Sequence, residues 1–553
     1  MKKNGAEILI ECLKEQGVKT VFGYPGGTVL DIYDALYRDG NIEHVITSHE
    51  QGAAHAADGW ARVTGKTGVV IATSGPGATN LVTGIATAYM DSIPVVAITG
   101  NVGANFLGRD SFQEIDIFGI TLPITKHNYI VKDVNDLAGV VREAFAIANS
   151  GRKGPVLIDI LKNVQSDVAD YQPQTPVAVR RKPVPPQNVE AAAKAIAAAE
   201  RPLIVVGGGV IASEAAKEAR ALAERLDAPV ASTLMGLGAF PASHRLFAGM
   251  MGMHGTATAA KLCLESDCII ALGTRFSDRV ALNRDKFAVN KTVVQIEIDD
   301  AEIDKNVNVT HSVLGDIKEA LTTLIPMLPE VKDRAFAQTL QTYRAAEKAN
   351  AKPLELGHKV LIEAAKLAPE DTIVVTDVGQ HQMWTAQYYP VEKPRTFCSS
   401  GGLGTMGYAL GASIGAAMAS GKHVIMVTGD GCFNMNLNEL STAVTHDLPI
   451  TILLMNNHAL GMVRQWQKLF YGNRFSQTDV RKRTDYVKFA ESFGAAGFAI
   501  EKEEDIVPVL TKALAMNTPA VVDCRISNDE NVLPMIKPGQ TYDTIITDWE
   551  ARK

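Results

Sequence analysis

The stretch Val424–Trp466, VIMVTGDGCFNMNLNELSTAVTHDLPITILLMNNHALGMVRQW, decides the fold of this chain. An apolar run at 424–427 predicts a buried strand. It ends at Gly-Asp-Gly, 429–431, where glycine permits a sharp turn. A helical pattern at 437–444 follows, and a second apolar run at 450–455 predicts another strand. Strand, helix and strand together predict two parallel strands lying side by side.

Polar residues follow both predicted strands. Asp430 ends the first strand and Asn457 comes just after the second. Ligands bind at the carboxyl edge of such a sheet, so we expect these two side chains to meet there. Mg²⁺ takes oxygen ligands and shares phosphate oxygens, so the pair predicts a magnesium site facing a phosphate. The alternative is two ordinary turns, because Asp-Gly and Asn-Asn are common in loops.

Composition limits the function. The 553 residues suggest three or four domains. A net charge of −7 gives no basic surface, so we do not expect a nucleic-acid partner. The six cysteines form no CxxC pair, which indicates free thiols in a reducing, cytoplasmic setting. The N-terminal segment is amphipathic and unlike an export signal, and no apolar run has membrane-spanning length.

Three regions alternate strand and helix patterns, which predicts an α/β protein of three doubly wound parallel-sheet domains. We place these domains at 1–170, 188–350 and 351–553. A linker at 171–187 contains five prolines and a basic cluster. A charged segment at 332–350 is expected to be helical.

The first and third regions share an order: helix, Gly-Lys, strand, then Ser/Thr-Gly-x-Gly. Duplication would explain this order, and chance similarity of two βα units is the alternative.

Gly402–Gly407 fits GxGxxG, but the preceding PRTFCSSG is a poor strand, which disfavours a dinucleotide site. Gly65-Lys66-Thr67 lacks the glycine that a phosphate loop requires, since position 60 is Trp60.

The GDG and NN motifs, with 24 residues between Gly431 and Asn456, resemble the diphosphate-binding motif of thiamine diphosphate enzymes. The resemblance implies that Asp430, Asn457 and the backbone oxygen of Ala459 hold Mg²⁺ against the cofactor diphosphate.

Thr47–Ala53, TSHEQGA, resembles the segment that carries the family's catalytic glutamate, here Glu50. A carboxyl group on the aminopyrimidine nitrogen favours the tautomer that removes the thiazolium proton. The alternative is a helix N-terminal glutamate favoured by the helix dipole. Met406 matches the apolar residue beneath the bent cofactor, and a plain core methionine is the alternative there.

Further matches are implied by the resemblance alone. Positions matching catalytic residues are Glu50, Gly27, Gln113, Phe112, Lys162 and Met406. Positions matching thiamine diphosphate contacts are Tyr24, Pro25, Glu50, Gln380, His381, Gly404, Met406, Gly429, Asp430, Gly431, Asn457, Gly461 and Met462.

Within this family, the whole chain resembles acetohydroxyacid (acetolactate) synthase catalytic large subunits, most specifically at 273–280, 460–466 and 533–535. The resemblance implies FAD in the middle domain. The matching positions are Arg152, Gly207, Gly208, Gly209, Thr233, Leu234, Met253, His254, Gly255, Gly273, Arg275, Arg279, Asp316 and Met383. Positions matching substrate contacts are Arg279, Trp466 and Met462. Ser277, Leu161 and Asn163 depart from the family pattern.

The implied reaction decarboxylates pyruvate and joins its two-carbon unit to a second pyruvate or to 2-ketobutyrate. The products, 2-acetolactate and 2-aceto-2-hydroxybutyrate, lead to the branched-chain amino acids. The resemblance also implies a homodimer or homotetramer with the site between subunits, and it allows a small regulatory subunit. The alternatives are another FAD-containing thiamine enzyme such as pyruvate oxidase, or a dinucleotide-binding dehydrogenase.

Overall fold

The structure is a computed structural model that describes residues 1–176, 183–480 and 484–548. The centre of the expected linker, 177–182, lies outside these residues. The flanking residues 171–176 and 183–185 form no helix or strand, and the next helix begins at Pro186, where proline suits the first helical turn. Each predicted domain contains one six-stranded parallel sheet, and the exact boundaries stay predictions.

Strands and helices alternate through the first domain. Its strands are β1 (Lys2–Asn4), β2 (Thr20–Tyr24), β3 (Glu43–Ile46), β4 (Gly68–Ala72), β5 (Val95–Asn101), β6 (His127–Val131), β7 (Val156–Leu161) and β8 (Val168–Asp170). Its helices are α1 (Gly5–Glu15), α2 (Leu30–Asp39), α3 (Glu50–Thr64), α4 (Pro76–Asn80), α5 (Val82–Asp91), α6 (Ile117–Thr121), α7 (Val134–Asn149) and α8 (Lys162–Ser166). The short strands β1 and β8 pair antiparallel, outside the main sheet.

The middle domain continues the alternation. Its strands are β9 (Pro202–Val206), β10 (Val230–Ser232), β11 (Phe247–Met250), β12 (Cys268–Leu272), β13 (Thr292–Glu297) and β14 (His311–Leu314). Its helices are α9 (Pro186–Ala197), α10 (Gly208–Ala212), α11 (Ala216–Leu226), α12 (Ala257–Glu265), α13 (Asp278–Ala281), α14 (Arg284–Phe287), α15 (Ile317–Leu324) and α16 (Ala335–Ala349). The helix α16 lies within the charged segment expected to be helical.

The third domain contains the stretch that opened the sequence analysis. Its strands are β15 (Ile373–Thr376), β16 (Phe397–Ser399), β17 (Val424–Gly429), β18 (Ile450–Asn456), β19 (Ala496–Ile500) and β20 (Ala520–Arg525). Its helices are α17 (Leu356–Leu367), α18 (Gln380–Tyr388), α19 (Tyr408–Ser420), α20 (Asp430–Asn436), α21 (Leu440–Thr445), α22 (Gly461–Phe470), α23 (Tyr486–Ser492) and α24 (Ile506–Leu514).

The first and third sheets have the same topology. Their strand orders are β3-β2-β4-β5-β7-β6 and β16-β15-β17-β18-β20-β19, which is the same order when each sheet is counted from its own first strand. The middle sheet has a different order, β11-β10-β9-β12-β13-β14. The shared topology is what a duplication of the first and third regions predicts.

The equivalent helices α3 and α19 pack directly against each other. A Cβ added at Gly59 would lie 2.2 Å from the carbonyl oxygen of Ala412, and one added at Gly415 would lie 1.8 Å from that of Ala56. Only glycine permits such an approach of two backbones. The buried apolar residues of both helices and their sheets therefore form one continuous core that joins the first and third domains.

Two details differ from the sequence-based expectations. The single helix expected around 437–444 is interrupted, since 437–439 form a 3₁₀ turn between α20 and α21. Asn436 leaves the helical conformation there, and its amide donates to the carbonyl oxygen of Gly407 at 2.7 Å. The segment judged a poor strand contains β16, because edge pairing with β15 overrides its weak local propensity.

The GxGxxG segment is nevertheless unsuited to a dinucleotide phosphate. The backbone N–H groups of Gly402 and Gly407 already donate to the carboxylates of Asp91 and Asp377. Carboxylates in these places would repel a phosphate.

All six cysteines are free and buried. Within the described ranges, no helix is long and apolar enough to cross a membrane.

Candidate active site

The predicted metal ligands meet at the ends of β17 and β18. Asp430 opens α20, and its Oδ1 is buried without a hydrogen-bond partner among the described residues. Burial raises the pKa of Asp430 to about 6. A buried carboxylate oxygen without a partner is costly, and a bound cation would offset that cost. Asn457 is also buried, and its Oδ1 accepts from the backbone N–H of Ala459 at 3.0 Å.

Gln380 and His381, at the start of α18, line the same end of the sheet. A Cβ added at Gly429 would lie 3.1 Å from Nδ1 of His381, so this imidazole rests directly on the GDG turn. Burial lowers the pKa of His381 to about 3, and its Nε2 has no partner among the described residues. A Cβ added at Gly461 would lie 2.0 Å from Oε1 of Gln380. A neutral imidazole with a spare nitrogen, beside an unpartnered carboxylate, fits a metal-bound diphosphate.

Met406 lies next to this turn. A Cβ added at Gly431 would be 3.8 Å from the Met406 methyl group. Met406 sits in a loop whose glycines Gly404 and Gly407 have φ of +72° and +85°, a conformation that favours glycine. The Met406 side chain lines a large cavity, together with Gly404 and Met462. The methionine therefore lies between the GDG turn and the cavity. We call the end of the sheet that carries Asp430, Asn457, Gln380 and His381 the diphosphate end.

Glu50 is the first residue of α3, as the helix N-terminal alternative predicted, and it also belongs to a polar cluster. The amide nitrogen of Asn80 donates to Oε2 of Glu50 at 2.9 Å. A Cβ added at Gly77 would lie 3.2 Å from Oε1 of Glu50, so glycine leaves room for the carboxylate. A Cβ added at Gly75 would lie 2.9 Å from Cα of Gln113, which brings Gln113 to the same region.

Lys162 follows β7 and contacts the segment after β2 in the same domain. Its Nζ donates to the carbonyl oxygen of Gly27 at 2.9 Å and lies 3.6 Å from Asp31. Tyr24, at the end of β2, is 40% exposed, and Phe112 is 87% exposed. We refer to the residues matched in the first domain as the pyrimidine cluster; they are Tyr24, Pro25, Gly27, Glu50, Phe112, Gln113 and Lys162.

A cavity of about 2030 Å³ is lined by residues from all three domains. Twelve of the positions matched to FAD line it: Arg152, Gly208, Gly209, Thr233, Leu234, Met253, His254, Gly273, Arg275, Arg279, Asp316 and Met383. Two do not. These two are Gly207 and Gly255. A Cβ added at Gly207 would clash with the carbonyl oxygen of Gly273, and a Cβ added at Gly255 would clash with the carbonyl oxygen of Met250, so close backbone packing explains both glycines.

The matched substrate residues line one part of this cavity. The guanidinium carbon of Arg279 lies 5.9 Å from the ring centroid of Trp466, a cation–π arrangement. Arg279 Nη1 also lies 3.2 Å from Sδ of Met253. Trp466 and Met462 are partly buried on α22, and Trp466 packs against the middle-domain core while still facing the cavity. A cation beside an aromatic wall suits a carboxylate with a short alkyl tail.

The lining of the cavity includes none of the pyrimidine cluster. Within one chain, the cavity therefore contains Met406 and the matched substrate residues but not the carboxylate of Glu50.

Sequence reasoning missed three side chains that hold the site together. Asn80 binds Glu50. Asp377, fully buried, accepts from the backbone N–H groups of Gly407 and Tyr408 at 2.8 and 3.0 Å. Asp91 binds the start of the same loop. Asp377 directly follows a buried strand, as Asp430 does, so its position at a strand end could have identified it as a site residue. Asn80 and Asp91 lie in helices, where the sequence pattern does not distinguish them from other polar residues.

Comparison with known proteins supports the family that the sequence motifs resemble. Three models of thiamine pyrophosphate (diphosphate) enzymes match the chain: the N-terminal TPP binding domain at residues 3–120, the central domain at 189–324 and the C-terminal TPP binding domain at 377–524. These matches confirm the predicted fold class.

Similar curated proteins share almost the full length. The chain is 47% identical to the acetolactate synthase large subunit of Mycobacterium tuberculosis, covering 98% of this chain and 91% of that protein. It is 45% identical to the probable acetolactate synthase large subunit of Methanocaldococcus jannaschii, covering 98% and 95%. It is 42% identical to the isozyme 3 large subunit of Escherichia coli acetolactate synthase, covering 96% of each. The chain therefore belongs to the thiamine pyrophosphate enzyme family and, within it, to the acetolactate synthase large subunits.

Proposed function

We propose that this chain catalyses the acetolactate synthase reaction, in which two pyruvate molecules give 2-acetolactate and CO₂. With 2-ketobutyrate as the second substrate, the product is 2-aceto-2-hydroxybutyrate. The observation that supports this best is the pairing of Arg279 with Trp466 in the cavity that Met406 also lines. Such a pocket accepts a second keto acid, which a simple decarboxylase does not need.

Thiamine diphosphate, when bound, supplies a carbanion and then an electron sink. Asp430, Asn457 and the Ala459 carbonyl would hold Mg²⁺, and His381 and Gln380 would face the diphosphate. Glu50 would hold a proton at the aminopyrimidine nitrogen, because Asn80 fixes one carboxylate oxygen and leaves the other available. Met406 would support the bend between the two rings.

A complete site would combine the pyrimidine cluster of one chain with the diphosphate end of another. Large exposed apolar residues lie on or near β2, β3 and the loop before α6 of the first domain: Leu30, Ile46, Phe106 and Phe112. A second chain placed against this face would cover these side chains. On this basis we propose a homodimer or homotetramer. A cytoplasmic location and a small regulatory subunit are part of the same proposal, and they rest on the resemblance to acetolactate synthase large subunits.

FAD would bind in the large cavity between the domains. Arginine side chains of that cavity suit an anionic dinucleotide, among them Arg152, Arg275 and Arg279. Conversion of two pyruvates to acetolactate and CO₂ involves no net oxidation, so the flavin would be structural. Pyruvate oxidase is the alternative, and it would consume oxygen.

Product analysis tests the proposal directly. The purified chain would be supplied with pyruvate, thiamine diphosphate, Mg²⁺ and FAD, while oxygen is followed with an electrode. We expect 2-acetolactate and CO₂ in a 1:1 ratio without oxygen uptake. Oxygen uptake coupled to pyruvate consumption would identify an oxidase, and acetaldehyde as the main product would identify a decarboxylase.

A further inference from the structure

The loop that carries Met406 is tied to a different domain. Asp91, the last residue of α5, accepts a hydrogen bond from the backbone N–H of Gly401 at 3.1 Å and from that of Gly402 at 2.7 Å. Thr87, on the same helix, shares a hydrogen bond of 2.8 Å with the hydroxyl of Thr405. The first domain thus binds this third-domain loop at both ends of the segment 401–405.

Asp91 is itself held by a buried arginine. Nη2 of Arg62 donates to Oδ2 of Asp91 at 2.9 Å, and the Asp91 side chain is fully buried. Nε of Arg62 donates to Oδ1 of Asp58 at 2.6 Å. Oδ1 of Asp58 also accepts from the hydroxyl of Tyr408, the first residue of α19, at 2.7 Å. One guanidinium therefore organises two carboxylates: Asp91 binds the loop before Met406, and Asp58 binds the first residue of the helix that follows it.

The start of the loop passes close to the two other domains. A Cβ added at Gly401 would lie 2.3 Å from Sδ of Met235 in the middle domain, and one added at Gly402 would lie 2.8 Å from the carbonyl oxygen of Met90. A carboxylate with two acceptor oxygens can bind two successive N–H groups and a guanidinium together. An amide at position 91 has one acceptor oxygen, so it would leave one of these donors unpaired.

From these contacts we infer that Asp91 is a positioning residue, which fixes the loop 401–407 and through it the placement of Met406 beneath the cofactor rings. The inference rests on the proposed function, because it assigns Asp91 a task in that reaction. Asp91 does not touch the reacting atoms; it acts through Met406. Its carboxylate belongs to the first domain, so it makes the cofactor geometry depend on the contact between the first and third domains.

Exchange of the thiazolium C2 proton for deuterium, followed by NMR on the bound cofactor, tests this inference without the ligation step. In Asp91→Asn, we expect exchange to slow by about 10- to 100-fold at saturating thiamine diphosphate and Mg²⁺, since a misplacement near 1 Å can cost roughly 10²-fold. Thr87→Val removes the link to Thr405 together with a local hydrogen bond to the carbonyl oxygen of Thr83, and it should slow exchange in the same direction by less.

Asp267→Asn is the matched control. Asp267 accepts from the backbone N–H groups of Glu200 and Arg201, both at 2.9 Å, in the middle domain and away from the site. We expect this variant to exchange at the wild-type rate. If exchange slowed as much as in Asp91→Asn, the loss of any carboxylate that accepts two backbone hydrogen bonds would have this effect, and the inference would be overturned.

A double-mutant cycle with Met406→Leu identifies the path of the effect. If Asp91 acts through Met406, the Asp91→Asn change should slow exchange much less in the Met406→Leu background. Wild-type exchange in both Asp91→Asn and Thr87→Val, or full additivity with Met406→Leu, would overturn the inference. A wild-type chain that does not accelerate exchange at all would instead contradict the proposed function.

Discussion

Asn80 donates a hydrogen bond from its side-chain amide to Oε2 of Glu50 at 2.9 Å, and this contact fixes the orientation of the carboxylate. Oε1 of Glu50 remains beside Gly77, where a side chain would intrude. One oxygen is thus engaged by the protein and the other is left for a ligand.

The first prediction follows from that division. In Glu50→Gln, the amide oxygen can still accept from Asn80, so the fold and cofactor binding should be retained. The other end becomes an amide, which cannot provide the charged hydrogen bond to the aminopyrimidine. We expect turnover to fall by about 10²- to 10⁴-fold at saturating cofactor.

Glu43→Gln provides the control for that measurement, because Glu43 is exposed on the neighbouring strand β3. It should behave as wild type in steady-state assays of acetolactate formation. Near wild-type turnover of Glu50→Gln would exclude Glu50 from proton transfer.

Asp430→Ala is expected to abolish tight cofactor binding. The substitution removes the anionic ligand and leaves Mg²⁺ with a neutral amide, a backbone oxygen and phosphate. Titration of thiamine diphosphate, followed by tryptophan fluorescence or calorimetry, should show no saturation in the range that saturates wild type. Asp371→Ala, at an exposed ion pair with Lys393, is the control and should bind normally. Equal affinities in the two variants would refute the metal site.

The pH dependence of stability should reveal Asp159. Burial raises the pKa of this carboxyl to about 7, against the hydrogen bonds from Thr99 and Asn101. Between about pH 4 and pH 7 the folded chain therefore keeps a proton on Asp159 that the unfolded chain has released, so the contribution of this group to stability falls as pH rises. The loss is at most roughly 1.4 kcal/mol per pH unit.

In Asp159→Asn the contribution of this carboxyl to the slope should disappear, and the variant should gain stability relative to wild type as pH rises through this range. Urea unfolding at a series of pH values measures the difference. Asp170→Asn, at an exposed carboxylate paired with Lys2, should follow the wild-type curve. Parallel curves for wild type and Asp159→Asn would show that the buried carboxyl does not titrate in this range.

The sequence predicted those features that depend on short segments. The order strand, GDG, helix, strand, NN lies within 424–466, and period and turn residues are enough to place Asp430 and Asn457 at one sheet edge. The three sheets followed from the alternation of patterns for the same reason. Edge strand β16 was missed because three residues carry little propensity and pairing with β15 decides their conformation.

Contacts between distant segments could not be predicted. Asp91 and the N–H of Gly401 are 310 positions apart, and no periodicity links a helix C-terminus to a glycine loop of another domain. The hydrogen bond between Asn80 and Glu50 depends on how α4 packs beside α3. Such partners emerge only once tertiary packing has fixed the relative positions of the helices.

The proposed structural role of FAD yields another prediction. Flavin-stripped protein should regain acetolactate formation with 5-deaza-FAD, which fills the same cavity but does not react with oxygen as flavin does. Thermal unfolding should shift upward equally with either flavin, because both would bind the native state. Recovery with FAD but not with the analogue would indicate redox chemistry of the oxidase kind.

The choice of the second keto acid should depend on Trp466. Arg279 can bind the carboxylate of the acceptor through its planar guanidinium, while the Trp466 ring beside it walls the space for the alkyl tail. One more buried methylene is worth roughly 0.8 kcal/mol, about fourfold, and a shaped pocket reaches roughly 1–3 kcal/mol. Wild type should therefore prefer 2-ketobutyrate over pyruvate as the acceptor. In Trp466→Leu the product ratio from a mixture of both acids should move toward one, while acetolactate is still made.

Phe470→Leu is the matched control for this competition assay. Phe470 packs edge-on against Trp466, with ring centroids 5.4 Å apart, but it does not line the cavity. A loss of packing alone would alter both variants in the same way, whereas a pocket wall at Trp466 predicts a changed ratio only in Trp466→Leu. An unchanged ratio there would assign Trp466 to the core, because its contact with the middle-domain core would then be its whole role.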